Sequence, residues 1–141
     1  MRLLKDVTAR YSFNINKGWN GREVNPHAMP SIFATDATWE CEALGIKGTG
    51  LDKIMNGLPN STKGVEFSMH NFSNPVIQIE ENKASGNWLF WVASKHKGAT
   101  PNEVYMSADI SYVRSEDGWL IQTYQLFYGM KFAAKGIVAA I

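Results

Sequence analysis

The apolar periodicity of this chain changes once, near residue 64, and that change limits the folds open to it. Before it, apolar residues recur at spacings of three and four. After it they alternate, or run in short blocks between turns. Leu4, Val7, Tyr11 and Ile15 form one stripe and predict a helix over residues 3–16, ended by Lys17-Gly18. Asn25-Pro26 starts a second helix, with Met29, Ile32 and Phe33 facing inward and Pro30 shortening or kinking it. Thr49-Gly50-Leu51-Asp52 reads as an acidic capping box ahead of Ile54, Met55 and Leu58 on one helical face. One strand, residues 37–43, interrupts this half. The second half predicts strands over 65–72, 75–80, 86–94, 103–113 and 119–128, joined by turn-rich residues. Helices over residues 3–58 followed by consecutive strands mean an α+β fold, with helices on one face of a mainly antiparallel sheet. A strongly twisted sheet of this kind curls into a cone whose open end is a natural pocket.

A length of 141 residues suits one domain, 1–141, with residues 129–141 as a C-terminal tail. The formal net charge is +1 and the basic residues form no stripe, which argues against nucleic acid as a partner. Cys41 is the only cysteine, so no intrachain disulfide is possible. Residues 1–6 are charged too early for a secretion signal, and no run approaches the ~18 apolar residues of a membrane span. The expected location is the cytoplasm, away from membranes. The apolar residues 137–141, with the outer face of the sheet, predict a homodimer or higher closed homo-oligomer.

Chemistry concentrates around His70, in Phe67-Ser68-Met69-His70-Asn71-Phe72-Ser73-Asn74-Pro75. A neutral imidazole takes and returns a proton near pH 7, which makes it the first candidate for a general acid/base. The plainer role for such a residue is a hydrogen-bonded core histidine. Tyr11 is a candidate to hold a substrate oxygen. Trp39, Phe72 and Trp88 are candidates to line a site for a ring-bearing molecule, although most aromatics on these elements are core. Asp109 becomes a substrate contact if it turns inward, but period two groups it with Ser107 and Ser111 on the face that reads as solvent. His27, His70 and His96 are too scattered for a metal motif, no nucleophile elbow is present, and Gly45, Gly48 and Gly50 lack a dinucleotide context. No metal or organic cofactor is expected.

Several stretches together resemble a known family. They are Tyr11…Asn16-Lys17-Gly18, Phe33-Ala34-Thr35-Asp36-Ala37-Thr38-Trp39-Glu40, Gly45…Gly48-Thr49-Gly50, His70…Ser73-Asn74-Pro75…Ile77-Gln78-Ile79, Ala84-Ser85-Gly86-Asn87-Trp88, and Tyr112-Val113-Arg114…Asp117-Gly118-Trp119-Leu120-Ile121. In this order they resemble the SnoaL-like branch of the NTF2-like superfamily over residues 4–125. The resemblance implies a cone with a deep apolar pocket. It also implies kinship with polyketide cyclases, scytalone and bile-acid dehydratases, a dehydrochlorinase and small isomerases, mostly cofactor-independent. Many members use a histidine matching His70 and an aspartate near the end of the first helix, preceded five residues earlier by a tyrosine. Tyr11 matches the tyrosine, but Asn16 stands where the aspartate is expected. Asparagine can hydrogen-bond a ring but cannot stabilise an imidazolium by charge.

Two functions follow. The first is a lyase or isomerase acting on a hydrophobic, ring-containing small molecule, with His70 as acid/base and Tyr11 and Asn16 as positioning groups. The second is a non-catalytic module that binds a lipophilic ligand or dimerises, and Asn16 is the argument for it.

Overall fold

The computed structural model describes residues 3–133, with Leu44 described by its backbone alone. Helix α1 spans Leu4–Ile15 and helix α2 spans Leu51–Ser61, with 3-10 turns at Pro26–Ser31 and Glu42–Leu44. The strands are β1 Phe33–Cys41, β2 Ile46–Thr49, β3 Val65–Glu80, β4 Lys83–His96, β5 Asn102–Ser115 and β6 Gly118–Ala133. They form one curved sheet in the order β2-β1-β6-β5-β4-β3. Strands β3 to β6 are an antiparallel meander. Strand β1, arriving from the helical half, runs parallel to β6, so the sheet is mixed. The whole is an α+β cone.

Local chemistry explains where this differs from the sequence reading. The second predicted helix is only a 3-10 turn, because Pro26 and Pro30 each remove an amide donor. The predicted strands 65–72 and 75–80 are one strand, β3. Its Asn74-Pro75 break is absorbed as a bulge, with Asn74 at φ 48° and a register shift between Ser73 and Val76. The acidic capping box does not form, since the N-cap of α2 is Gly50, which has no side chain to offer. Strand β2 was not anticipated. Strand β6 continues to Ala133, into the stretch read as a tail; the rest of that tail, including residues 137–141, lies outside the described residues.

The core lies between α1 and the concave face of the sheet. Leu4, Val7, Tyr11 and Ile15 are buried there with Phe33, Ile110, Ile121 and Tyr124, each contributing roughly 1.5–3 kcal/mol of apolar burial. One directed chain of polar groups crosses this core. Trp88 Nε1 donates to the Tyr112 hydroxyl at 3.0 Å, which is bonded to Thr8 Oγ1 at 2.6 Å, and Thr8 donates to the Leu4 carbonyl at 2.9 Å. Because Thr8 gives its proton to Leu4, Tyr112 must donate to Thr8, and each buried hydroxyl is satisfied.

Candidate active site

The end of α1 is stitched to β3. Lys17 N–H donates to the Ser68 carbonyl at 3.1 Å and Ser68 N–H returns the bond at 2.9 Å. The approach requires glycine at position 18: a Cβ there would stand 1.9 Å from the Glu66 carbonyl oxygen, and φ is +86°. This stitch carries Asn16, the C-cap of α1, to His70. The Asn16 Oδ1 accepts the His70 backbone N–H at 2.8 Å and lies 2.9 Å from His70 Nδ1. A backbone amide can only donate, so the amide atom facing it is oxygen, and that oxygen can only accept. Nδ1 therefore carries the ring proton, and Nε2 is left with its lone pair free. On the other side of the residue, Ser12 Oγ donates to the His70 carbonyl at 2.6 Å.

Burial of the His70 ring pulls its imidazolium pKa down to about 4. No carboxylate opposes that shift. The ring is neutral at pH 7 and, through Nε2, is a base of modest strength.

Tyr11 packs edge-on to Phe33 at 5.3 Å and to Tyr124 at 5.2 Å between ring centres. Its hydroxyl is hydrogen-bonded to that of Tyr124, and burial raises the pKa of both. Tyr11 thus keeps its proton at neutral pH, and its hydroxyl is available to donate to a ligand when it accepts from Tyr124. Trp39 stacks on Tyr124 at 6.1 Å. Its Nε1 is buried and misses bonding geometry, though it lies near enough to the Tyr124 hydroxyl to oppose part of that rise.

His70, Tyr11 and Trp39 line a cavity of about 500 Å³, within the range of small-molecule sites. Its apolar wall is built by Ile46 of β2, Ile54 and Leu58 of α2, Val65 of β3 and Val92 of β4. The sequence reading missed this wall. The Ile54/Leu58 stripe was its available signal, but a stripe does not say whether it faces side chains or space. Tyr124 was also missed as a partner of Tyr11; the polar–apolar alternation of Thr123-Tyr124-Gln125-Leu126 was the signal.

The remaining sequence candidates separate. Asn16 stands behind His70, outside the cavity lining. Phe72 packs on Phe90 at 4.3 Å and, with Trp88, lines a cleft between α1 and β3 that meets the cavity only at His70. Asp109 lies on the outer face of β5, where it accepts from Asn87 Nδ2 at 2.6 Å. Ala108 and Ile110 take the inward positions, so strand alternation excludes Asp109 from this cavity and corrects its place among the substrate contacts. Among the described residues, no group of three or more His, Cys, Asp or Glu is placed to hold a metal. No helix there is long and apolar enough to cross a membrane.

The sequence pattern described as a SnoaL-like domain matches residues 4–125. No curated protein matches the chain. Among solved structures, a hexachlorocyclohexane dehydrochlorinase of type 3 from Novosphingobium barchaimii superposes with a TM-score of 0.80 at 14% identity, over 98% of this chain and 92% of that one. A type 2 enzyme of the same activity gives 0.83 at 15% identity, over 98% and 90%. A candidate scytalone dehydratase from Novosphingobium aromaticivorans gives 0.78 at 19% identity, over 98% and 93%. At such identities the structures establish a shared fold.

Proposed function

Because this chain belongs to the SnoaL-like family, we propose that it is a cofactor-independent lyase or isomerase acting on a hydrophobic, ring-containing small molecule. The observation that carries this reading is the pair of bonds to Asn16 Oδ1, which leaves His70 neutral with Nε2 as its free base. In the proposed reaction Nε2 takes a proton from carbon. The electron pair of that C–H bond moves into an adjacent carbonyl or conjugated system, and Tyr11 donates a hydrogen bond to the oxygen where charge collects. The proton then returns at another carbon, giving isomerisation, or a neighbouring group departs with its bonding pair, giving elimination. A base with a pKa near 4 suits a proton already made acidic by its neighbours, such as one α or vinylogous to a carbonyl. Asn16 thus does the orienting half of the work of an aspartate and omits the electrostatic half.

Three variants test the assignment. His70→Ala should cut turnover by roughly 100- to 10,000-fold in a folded protein. Asn16→Ala should cost on the order of tenfold, because it releases the tautomer and leaves His70 N–H unpaired. Asn16→Asp should raise the His70 pKa and move the acid limb of the pH–rate profile upward. Near-wild-type turnover in folded His70→Ala would return the residue to a structural role. The weak basicity of His70 also favours a second reading, a binding module of the same fold. That reading predicts ligand binding with no product for any ring-bearing ketone or alcohol screened by mass spectrometry.

Self-association belongs to the same proposal. Leu89, Phe127, Met130 and Phe132 are all about half exposed on the sheet, more apolar surface than a small monomer usually shows. Sedimentation at micromolar concentration should find a species heavier than the 15.8 kDa chain; a monomer alone would count against it.

A further inference from the structure

The charge pattern of the cavity narrows the substrate class, given the reading of that cavity as the substrate site. The chain has 13 acidic residues, yet no aspartate or glutamate lines the cavity among the described residues. Its charged lining residues are Lys47 of β2 and Lys53 of the first turns of α2. Both are solvent-exposed, so they mark the mouth and not the depth. Neither forms an ion pair among the described residues, where the one salt bridge joins Lys95 to Glu66. Glu40 sits opposite Lys47 in the β1–β2 pairing, but no ion pair forms and Glu40 is not part of the lining. The remaining wall is aliphatic or aromatic, with hydroxyls at Ser61, Thr62, Ser68 and Ser94 and a second imidazole, the exposed His96. The site therefore has an apolar body containing the His70 imidazole, and a rim that carries Lys47 and Lys53 with no carboxylate in the cavity lining.

From this geometry we infer that the ligand is an amphiphilic anion: a ring-bearing body that fills the space between Trp39, Ile54, Leu58 and His70, with a carboxylate held at the mouth by Lys53 and Lys47. The rim cations attract such a molecule and orient it ring-first, because the apolar interior desolvates a charge at high cost while the mouth does not. A neutral analogue of the same shape gains the apolar burial but loses this orientation.

The probes are 2-naphthoate and the neutral, similarly shaped 2-naphthylmethanol, titrated by calorimetry and tryptophan fluorescence. Naphthoate should bind about 5- to 10-fold more tightly at 50 mM salt, as two partly screened charge contacts allow. The preference should fall at 500 mM salt and vanish in Lys47→Gln/Lys53→Gln, while the alcohol is unaffected by either change. Leu58→Trp, checked for folding by circular dichroism, should abolish binding of both by filling the cavity. Equal affinity of the two probes, a preference that survives the double lysine variant, naphthoate binding that survives Leu58→Trp, or no naphthoate binding at millimolar concentration would each overturn the inference. Titration of His70→Ala separates it from the mechanism: selectivity kept there with turnover lost supports both. Selectivity absent in a protein whose turnover still depends on His70 removes the anion and leaves the base.

Discussion

The two helices are near equals in length and opposites in use. Helix α1 buries Leu4, Val7, Thr8, Tyr11 and Ile15 against the sheet. Helix α2, the more strongly amphipathic of the two, buries none of its residues fully. The difference is what each apolar stripe faces. That of α1 is enclosed by Phe33, Tyr112 and Tyr124 and reaches the cavity only at Tyr11 and Ile15; that of α2 packs against the core only partly buried and presents Ile54 and Leu58 to the cavity. Amphipathicity records which side of a helix avoids water, not what fills the space opposite. Pro59 inside α2 removes a further backbone bond, so α1 is the helix that fixes the catalytic candidates and α2 the less deeply buried of the two.

The sharpest break of this comparison is a pair of truncations. Leu4→Ala, on the buried side and away from the cavity, should lower stability by about 2–5 kcal/mol, as large-to-small core changes do. Chemical denaturation would measure it.

The pH dependence of stability probes the α1 side at His70. Its folded pKa, lowered from 6.5 to about 4, means that the unfolded chain binds the extra proton between those values. Stability is therefore full above about pH 6.5, is lost as pH falls toward 4, and is flat with respect to this group below that. The span is at most about 3 kcal/mol at 1.36 kcal/mol per unit. His70→Gln should remove that slope, and a slope unchanged in the variant would show another group to be responsible.

Gly18→Ala attacks the stitch that brings α1 to β3. Left-handed φ and a carbonyl in the way should together cost about 2 kcal/mol or more. The loss of turnover should exceed that of Asn16→Ala, because Asn16 is displaced as well. Equal turnover in wild type and Gly18→Ala would show that this tether does not position the site.

The smallest effect is expected on α2. Leu58→Ala should cost under about 1 kcal/mol in the free protein, since the side chain borders space already, yet should weaken naphthoate binding severalfold. A stability loss matching that of Leu4→Ala would erase the distinction between the helices.

Much of this was legible without coordinates, and the reasons are local. Tyr11 belongs to a stripe with a period of three and four, and His70 to a run bounded by turn signals, so each element could be read from its neighbours. Asp109 was legible too: its alternation with Ala108 and Ile110 already placed it outward, and the structure follows the pattern, not the hope of a replacement carboxylate. The second helix failed because two prolines leave too few amides for an α-helical turn, and β2 failed because four residues are too short to show a period.

The sequence alone therefore determined the α+β class, the passage from a helical to a strand pattern near residue 64, and the residue types available to a proton shuttle, because these depend on short-range pattern. The resemblance to the SnoaL-like family set Asn16 where an aspartate is expected. Only the tertiary structure decided what that asparagine does. Its contact with His70 spans 54 positions and exists because Lys17 and Ser68 pair across the gap that Gly18 makes passable. It likewise decided that the stripe of α2 is only partly covered while that of α1 is buried along its length, since the volume between two surfaces is a property of both and is written in neither.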